Sequence, residues 1–436
     1  MICPSCKAKN DDGAEACFTC GRALAALTQG AVIANRYEVQ KPLGRGGMGM
    51  VYRAHDRMLD ETVAIKVLRA ELTGTSEASQ RFRSEIKLAR KVSHRNVCRI
   101  HEYGEDGSIR YISMEYLEGT DLKQLLRDTG LSTDEAFDAC AQIADGLQAI
   151  HDVGIVHRDL KTPNIMRDQR GVVRLMDFGI AKIEGAGSSG GLTTTGQIMG
   201  TPEYMSPEQC LGERIDHRSD IYAAGIVIYE IFTGQVPFKG DTPVATLFKH
   251  IQDPIPLDGT PVGARVPTAL VPVIRRALAK NRADRYASSS EMAAAIREAY
   301  AKFKSGPPPD ELSTGRVPSA PVTPTPPLTE RRRDTRLDIF VNFIIRRVGT
   351  LGTVLSEERT IAENMGRGGA RVCTTMASLA PGDVVTLEEV GGPFMTRAEV
   401  RNAYLGKDNI RRLNLRFLDR PAPDHLVHVE DATSRR

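Results

Sequence analysis

Three glycines near the start of a strand-like region have the spacing of a phosphate-binding loop. Gly44, Gly46 and Gly49 form a Gly-x-Gly-x-x-Gly pattern, and residues without a Cβ allow the backbone to approach a phosphate closely. A strand pattern resumes at Val51, whereas a dinucleotide-binding turn would open a helix at this point. The glycines therefore predict a hairpin that covers phosphates, although a single pattern of this kind is weak evidence.

Further groups that can act on a phosphate follow in a fixed order. Lys66 lies seventeen residues after Gly49, at the end of the strand-like fragment VAIK. The fragments HRDLK with a following asparagine, DFG and SPE then supply these polar residues: Asp159, Lys161, Asn164, Asp177 and Glu208. Each fragment could occur by chance, but their joint order and spacing could not.

The elements that position these residues predict an α+β fold with two lobes. The region after Arg36 first alternates between polar and apolar residues, as strands do. A helix pattern follows, with Ser132 and Glu135 at capping-box spacing and Gly154 at its end. Its apolar face is formed by Phe137, Cys140, Ala144, Leu147 and Ile150. A strand-rich lobe followed by a helix-rich lobe would leave a cleft between them.

The ordered motifs resemble those of the eukaryotic-like (Hanks-type) serine/threonine protein kinases, over residues 37–304. The resemblance implies a bilobal kinase fold, with ATP and Mg²⁺ as cofactors and protein Ser/Thr hydroxyls as acceptors. It implies that Asp159 accepts the hydroxyl proton, that Lys161 stabilises the γ-phosphate, and that Asn164 and Asp177 bind Mg²⁺. This chemistry requires mainly positioning and charge neutralisation.

The same resemblance assigns nucleotide-binding residues. Lys66 would hold the α- and β-phosphates, steadied by a carboxylate from the next helix. Glu85 matches this position, and Glu77 is the less suitable alternative. The other implied nucleotide contacts are Gly44, Gly46, Gly49, Val51, Glu115, Leu117 and Asp121. Helix packing alone could also require some of the residues in the fragment MEYLEGTD, which contains Glu115, Leu117 and Asp121.

Two charged residues outside the reaction have predicted structural roles. Glu208 is expected to pair with Arg285, and Asp220 is expected to accept hydrogen bonds from the backbone of the HRD loop.

The segment between DFG and SPE contains a predicted regulatory site. Arg158 directly precedes the catalytic aspartate, and its charge could be neutralised by a phosphate. Thr193 and Thr195 lie in a glycine-rich, polar sequence, and we expect autophosphorylation there, with a homodimer allowing transfer in trans. The alternative is a solvated polar loop without a regulatory role.

Residues 1–24 contain two Cys-x-x-Cys pairs. Cys3 with Cys6 and Cys17 with Cys20 suit four thiolates around one structural Zn²⁺. The cluster resembles small zinc ribbons, and a redox pair is disfavoured because no βαβ pattern surrounds it. The remaining cysteines are predicted to be buried as small apolar residues: Cys98, Cys140, Cys210 and Cys373.

A change of composition separates the kinase-like region from the C-terminal part. Residues 305–330 hold eight of the 24 prolines and are predicted to form an extended linker. Residues 331–420 contain 16 Lys and Arg against 11 Asp and Glu, and 15 of the basic residues are arginine. Arginine favours bidentate recognition of phosphate or guanine. Strand-like runs here predict an all-β barrel or sandwich.

Two motifs of residues 331–425 resemble those of PilZ domains, which bind cyclic di-GMP. Arg332 and Arg336 form the RxxxR motif, and Asn364 and Gly369 stand at the ends of the second motif. Gly366 occupies the position where the family has serine, which removes one hydroxyl donor. The alternatives are a degenerate domain that binds no nucleotide, or a basic patch that contacts RNA.

The overall composition excludes several classes of protein. The 436 residues are 41% hydrophobic and 26% charged, with a net charge of +3. This balance is typical of globular proteins and too weakly basic for a general nucleic-acid binder. The sequence shows no membrane span and no secretory signal, so we expect a cytoplasmic protein. The main alternative to an active kinase is a non-catalytic scaffold that keeps the kinase fold.

Overall fold

The computed structural model shows two lobes and a C-terminal β-barrel. The residues that the structure describes are 8, 27–46, 49–68, 76–107, 109–178, 201–305, 341–348, 353–423 and 426–427. Within these ranges, no helix combines the length and the apolar composition that are needed to cross a membrane.

The N-terminal lobe is an antiparallel sheet with one helix. Its elements are β1 (Val32–Ile33), β2 (Tyr37–Gly46), β3 (Gly49–Asp56), β4 (Glu61–Leu68), α1 (Ser76–Ala89), β5 (Ile100–Asp106) and β6 (Ile109–Glu115). The strand order is β1-β2-β3-β4-β6-β5. Lys66 on the central strand β4 pairs in register with Val51 on β3 and Ile112 on β6. The sheet therefore places Lys66 beside the end of the glycine hairpin.

The C-terminal lobe is mainly helical. Its elements are β7 (Thr120–Asp121), α2 (Leu122–Asp128), α3 (Thr133–His151), β8 (Ile165–Arg167), β9 (Val173–Leu175), α4 (Pro207–Cys210), α5 (His217–Thr233), α6 (Pro243–Gln252), α7 (Val271–Ala277) and α8 (Ser289–Ser305). The capping box of Ser132 and Glu135 starts α3, as the sequence predicts. The apolar face predicted for this helix is buried. Helix α5 lies at the centre of the lobe, because every residue from Ser219 to Thr233 is buried.

Six antiparallel strands close into a barrel at the C-terminal end. They are β10 (Val341–Val348), β11 (Val354–Gly366), β12 (Gly369–Thr374), β13 (Val384–Glu389), β14 (Met395–Leu405) and β15 (Arg411–Phe417), in the order β10-β11-β12-β15-β14-β13. Pairing of β13 with β10 closes the barrel. Alternating side chains fill its interior, among them Phe343, Val372 and Leu387. Of the two all-β arrangements that the sequence left open, the structure has the barrel.

The four cysteines outside the N-terminal cluster are buried and free, as predicted. Burial raises the pKa of the thiols of Cys98, Cys140 and Cys373. These thiols therefore stay protonated and behave as small apolar groups. Cys3, Cys6, Cys17 and Cys20 lie outside the described residues.

Candidate active site

A buried carboxylate fixes the loop that follows α3. Asp220 on α5 accepts hydrogen bonds from the backbone N–H groups of His157 (2.7 Å) and Arg158 (2.8 Å), and it lies 2.8 Å from Nε2 of His151. Burial opposes ionisation of Asp220, but its interactions with His151 outweigh this effect and hold its pKa below the ordinary value. Arg158 adopts a left-handed φ of 67°. The contact between Asp220 and this backbone agrees with the sequence prediction.

The carboxylate of Asp159 is oriented by two donors from its own loop. Lys161 Nζ lies 2.9 Å from Oδ2 of Asp159, and Asn164 Nδ2 donates to the same oxygen at 3.0 Å. Asn164 also donates to the backbone carbonyl of Asp159 at 2.9 Å. Among the described residues, both of these side-chain contacts of Asp159 are made by Oδ2. The structure thus brings these three predicted residues together.

Asp177 joins the two lobes through Lys66. Lys66 Nζ donates to Oδ1 of Asp177 at 2.8 Å, and the lysine side chain is only 2% exposed. Asp177 has a left-handed φ of 58°, a backbone conformation that non-glycine residues adopt mainly where the surroundings enforce it. An amine so deeply buried needs this carboxylate partner.

The expected pair between Lys66 and Glu85 is absent from this conformation. Among the described residues, the ion pair of Lys66 is with Asp177. Glu85 on α1 is half-buried, and burial raises its pKa. The described contacts thus contain the pair of Lys66 with Asp177 and not the predicted pair with Glu85.

The glycine hairpin has the conformation that its sequence predicts. Gly46 and Gly49 pair across the turn between β2 and β3. Gly49 has φ of 147°, and a Cβ there would lie 1.8 Å from the carbonyl oxygen of Val67. A Cβ on Gly44 would meet nothing within 4 Å, so its backbone borders open space. The backbone of the hairpin therefore requires glycine at position 49. At Gly44, the missing side chain leaves open space next to the backbone.

The predicted nucleotide-binding residues at and after the end of β6 also have structural partners. Glu115 lies 3.7 Å from Nε of Arg174, and Leu117 packs against the main apolar core. Asp121 caps α2 by accepting a hydrogen bond from the backbone N–H of Gln124 at 2.9 Å. Capping of α2 and packing in the core thus explain Asp121 and Leu117 without a bound nucleotide.

Glu230 is a buried residue of the site that the motifs did not indicate. It lies on α5 and accepts hydrogen bonds from Tyr204 Oη at 2.5 Å and Thr162 Oγ1 at 3.1 Å, while Lys123 Nζ lies 2.6 Å away. This carboxylate therefore connects the catalytic loop, residues 157–164, with the segment around Tyr204. The available signal was a carboxylate within the apolar sequence of α5, since an isolated charge in a core needs a partner.

Residues 201–209, which include the start of α4, contact the catalytic loop. Lys161 Nζ donates to Oγ1 of Thr201 at 3.0 Å, and Gln209 Nε2 donates to the carbonyl of Arg158 at 3.3 Å. These two hydrogen bonds place residues 201–209 beside the loop that carries Asp159. Glu208 in the same region pairs with Arg285, as expected. Thr193 and Thr195 lie outside the described residues.

The barrel contains half of the predicted cyclic di-GMP residues. Asn364 and Gly369 both lie on the β11–β12 hairpin, where Gly369 pairs with Gly366. A Cβ on Gly369 would lie 2.2 Å from the carbonyl oxygen of Leu415, so this glycine is required by strand packing. Arg332 and Arg336 lie outside the described residues.

Comparison with known proteins agrees with this geometry. The family profile described as "Protein kinase domain" matches residues 37–298. The chain belongs to the protein kinase family. Its kinase domain is 41% identical over 277 residues to serine/threonine-protein kinase pkn3 of Myxococcus xanthus, which covers 62% of this chain and 50% of that protein. It is 42% identical over 274 residues to probable serine/threonine-protein kinase PknB of Corynebacterium glutamicum, covering 60% and 42%.

Solved kinase structures are also similar. The PknI kinase domain of Mycobacterium tuberculosis matches with a TM-score of 0.50 and 28% identity, covering 63% of this chain and 100% of that one. The curated relatives are longer proteins, since the chain spans half of pkn3 and 42% of PknB. The similarity therefore concerns the kinase domain.

Proposed function

We propose that this chain is an active serine/threonine protein kinase, which transfers the γ-phosphoryl group of ATP to hydroxyl groups of proteins. The observation that carries the proposal is the arrangement of Asp159, Lys161, Asn164 and Asp177 in one cleft beneath Lys66. In-line phosphoryl transfer needs an oriented hydroxyl group and cations around the phosphates, and these side chains supply both.

Oδ1 of Asp159 would accept the hydrogen bond of the acceptor hydroxyl and orient it, while Lys161 and Asn164 hold Oδ2. Lys161 lies between Asp159 and Thr201, where its charge would stabilise the γ-phosphate. Lys66 lies at the opposite wall, where it would pair with the α- and β-phosphates. Lys161 and Thr201, which are in contact, also resemble the corresponding residues of serine/threonine rather than tyrosine kinases.

The residues present also fit Mg²⁺. Asp177 and Asn164 offer the oxygen ligands that this cation prefers, and the Nδ2 group of Asn164 donates to Asp159, which holds the amide beside the catalytic carboxylate. When bound with ATP, Mg²⁺ would neutralise the phosphate charge. Asp177 would then exchange its contact with Lys66 for a shared role around the nucleotide.

The alternative is a scaffold that keeps the fold without catalysis. Transfer of ³²P from Mg-ATP to dephosphorylated casein by the full chain distinguishes the two. We expect Asp159→Asn to reduce the rate by about 10²–10⁴-fold, whereas Asp258→Asn, at a side chain that is 77% exposed, should leave it unchanged. Equal rates for the unsubstituted chain and Asp159→Asn would favour the scaffold.

We further propose that the kinase phosphorylates its own Thr193 and Thr195, in trans within a homodimer. The phosphate would pair with Arg158, whose position beside Asp159 supports this coupling. Tryptic mass spectrometry of protein incubated with Mg-ATP tests the proposal. Unmodified threonines in a fully active kinase would refute it.

The barrel supports a second proposed function, regulation by cyclic di-GMP. Its closed six-stranded form is compatible with a PilZ domain, and Asn364 and Gly369 lie together on one hairpin. Calorimetric titration of cyclic di-GMP into the full chain should show saturable binding that is lost in the Arg332→Ala, Arg336→Ala variant. Absence of binding would refute a receptor role.

The N-terminal cysteines support a proposed structural zinc ribbon in a cytoplasmic protein. Four thiolates fill the tetrahedral coordination of Zn²⁺ and leave no position for substrate. Metal analysis should give one zinc per chain. Replacing Cys3 and Cys6 with serine should remove it, while retention of zinc would place the metal elsewhere.

A further inference from the structure

The barrel packs against the C-terminal lobe on the side of α4 and α6. The contact has a continuous apolar cluster in which residues of both domains are buried. The lobe contributes Met205, Cys210, Val244, Ala245, Leu247 and Phe248, and the barrel contributes Ile361, Cys373 and Ile410. These three barrel residues point away from the interior of the barrel and would be exposed to water without the lobe. Their burial therefore favours the docked arrangement.

Polar contacts surround the apolar cluster. Gln252 Nε2 at the end of α6 donates to the carbonyl of Arg359 at 3.2 Å, and the guanidinium of Arg359 forms an ion pair with Glu213. Thr242 Oγ1 donates to Oε1 of Glu363 at 3.3 Å. Both ends of α6 therefore contact strand β11.

A charged cluster in the barrel is completed by the lobe. Arg412 pairs with Glu363 and Asp408, and these three side chains are 7%, 8% and 2% exposed. Two carboxylates face one guanidinium, so the cluster carries a buried negative charge. Two donors from the lobe reduce the free-energy cost of burying this charge. They are the hydroxyl of Thr242 and the backbone N–H of Asp241. Both residues lie at the N-terminus of α6, where the helix dipole also stabilises negative charge.

The docked face is linked to the proposed acceptor site. Met205 belongs to the apolar cluster that the lobe shares with the barrel, and it lies within residues 201–209, which contact the catalytic loop. Thr201 in this segment accepts a hydrogen bond from Lys161, and Gln209 donates to the carbonyl of Arg158. The segment therefore lies between Asp159 on one side and the barrel on the other.

We infer that the docked barrel is a positioning element for the protein acceptor, because it holds residues 201–210 and α6 in the arrangement that faces Asp159. The inference rests on the proposed kinase function. Loss of docking should weaken binding of the protein acceptor and leave ATP binding intact, since the ATP-binding residues lie between the lobes, away from this face. An autoinhibitory contact would give the opposite result, a faster kinase on undocking.

Steady-state kinetics of the full chain tests the inference. Ile361→Glu places a charge in the apolar cluster, and Val354→Glu, at an exposed residue of the same strand, is the matched control. Ile361→Glu should raise KM for dephosphorylated casein by about tenfold, with KM for ATP and kcat changed by less than about twofold, as expected when uniform binding of one substrate is lost. Small-angle X-ray scattering should show the barrel released in Ile361→Glu alone.

A charge exchange covers the case in which Ile361→Glu does not fold. Arg359→Glu opposes Glu213 with a like charge and should raise KM for casein, and the double variant Arg359→Glu, Glu213→Arg should restore it. An unchanged KM in a released variant, or an increase in kcat/KM, would overturn the inference while the kinase proposal stands. A wild-type chain no more active than Asp159→Asn would overturn both.

Discussion

Removal of Arg285 tests the buried ion pair that anchors the segment before α5. The guanidinium donates to Glu208 at 2.7 and 2.8 Å, and the two side chains are 0% and 4% exposed. Arg285 also donates to three backbone carbonyls, and Ser219 donates to Glu208. Burial opposes ionisation of Glu208, but Arg285 outweighs this effect and holds its pKa below the ordinary value.

We expect Arg285→Met to lower the free energy of unfolding by about 3–5 kcal/mol, because removing one partner leaves a buried charge without compensation. The double variant Arg285→Met, Glu208→Gln should lose less, since no charge remains. In the single variant, burial without Arg285 should raise the pKa of Glu208 above its unfolded value. The folded variant then binds a proton at Glu208 that the unfolded chain does not bind. The loss in the free energy of unfolding should therefore grow as the pH rises from about 5 to 7.5.

Urea denaturation followed by far-ultraviolet circular dichroism measures these differences, since the chain contains no tryptophan to serve as a fluorescent probe. A loss smaller than about 1 kcal/mol that is independent of pH would refute the reasoning, because surface ion pairs contribute that little. The double variant is the control for packing.

Three further changes have expected outcomes. Gly49→Ala should lower the melting temperature and raise KM for ATP, because the added Cβ would lie 1.8 Å from a backbone oxygen. Gly44→Ala should leave the melting temperature unchanged, because a Cβ there meets nothing within 4 Å. Equal shifts of the melting temperature in the two variants would contradict this. Burial and the charge of Lys280 lower the pKa of His250 to about 3, so stability should fall by up to about 1.4 kcal/mol per unit as the pH drops below about 6.5. His250→Gln should reduce this slope in urea titrations, and an unchanged slope would contradict the assignment. Gly366 faces open space, so Gly366→Ser should fold normally and increase the affinity for cyclic di-GMP about fivefold in calorimetry, since one hydrogen bond contributes about 1 kcal/mol; unchanged affinity would argue against the PilZ resemblance.

The motifs predicted most of the site because its chemistry depends on local spacing. Asp159, Lys161 and Asn164 lie within one loop, so the sequence alone brings them together. The contact of Asp177 with Lys66 follows from the two lobes facing each other. The position of Glu85 relative to Lys66 could not be predicted, because it depends on the placement of α1, which no local pattern determines.

The docking of the barrel could not be predicted for a related reason. Ile361 and Cys373 belong to ordinary strand patterns and Ile410 directly precedes β15, and exposed apolar residues are not unusual on a protein surface. Only the folded arrangement shows that they meet α6. Glu363 and Arg412 likewise have the appearance of surface charges in the sequence, whereas in the structure they form a buried ion pair.

The covalent tether makes barrel docking an intramolecular equilibrium. Residues 306–340 connect α8 with β10, and a tether of suitable span gives an effective concentration of about 1 mM. An interface with a dissociation constant of about 0.1 mM between separate domains would then be about 90% docked. A tenfold weaker interface would be about half docked, at a cost of about 1.4 kcal/mol. The acceptor-binding surface could thus respond in a graded way to small changes on the barrel, including a bound nucleotide or one altered side chain.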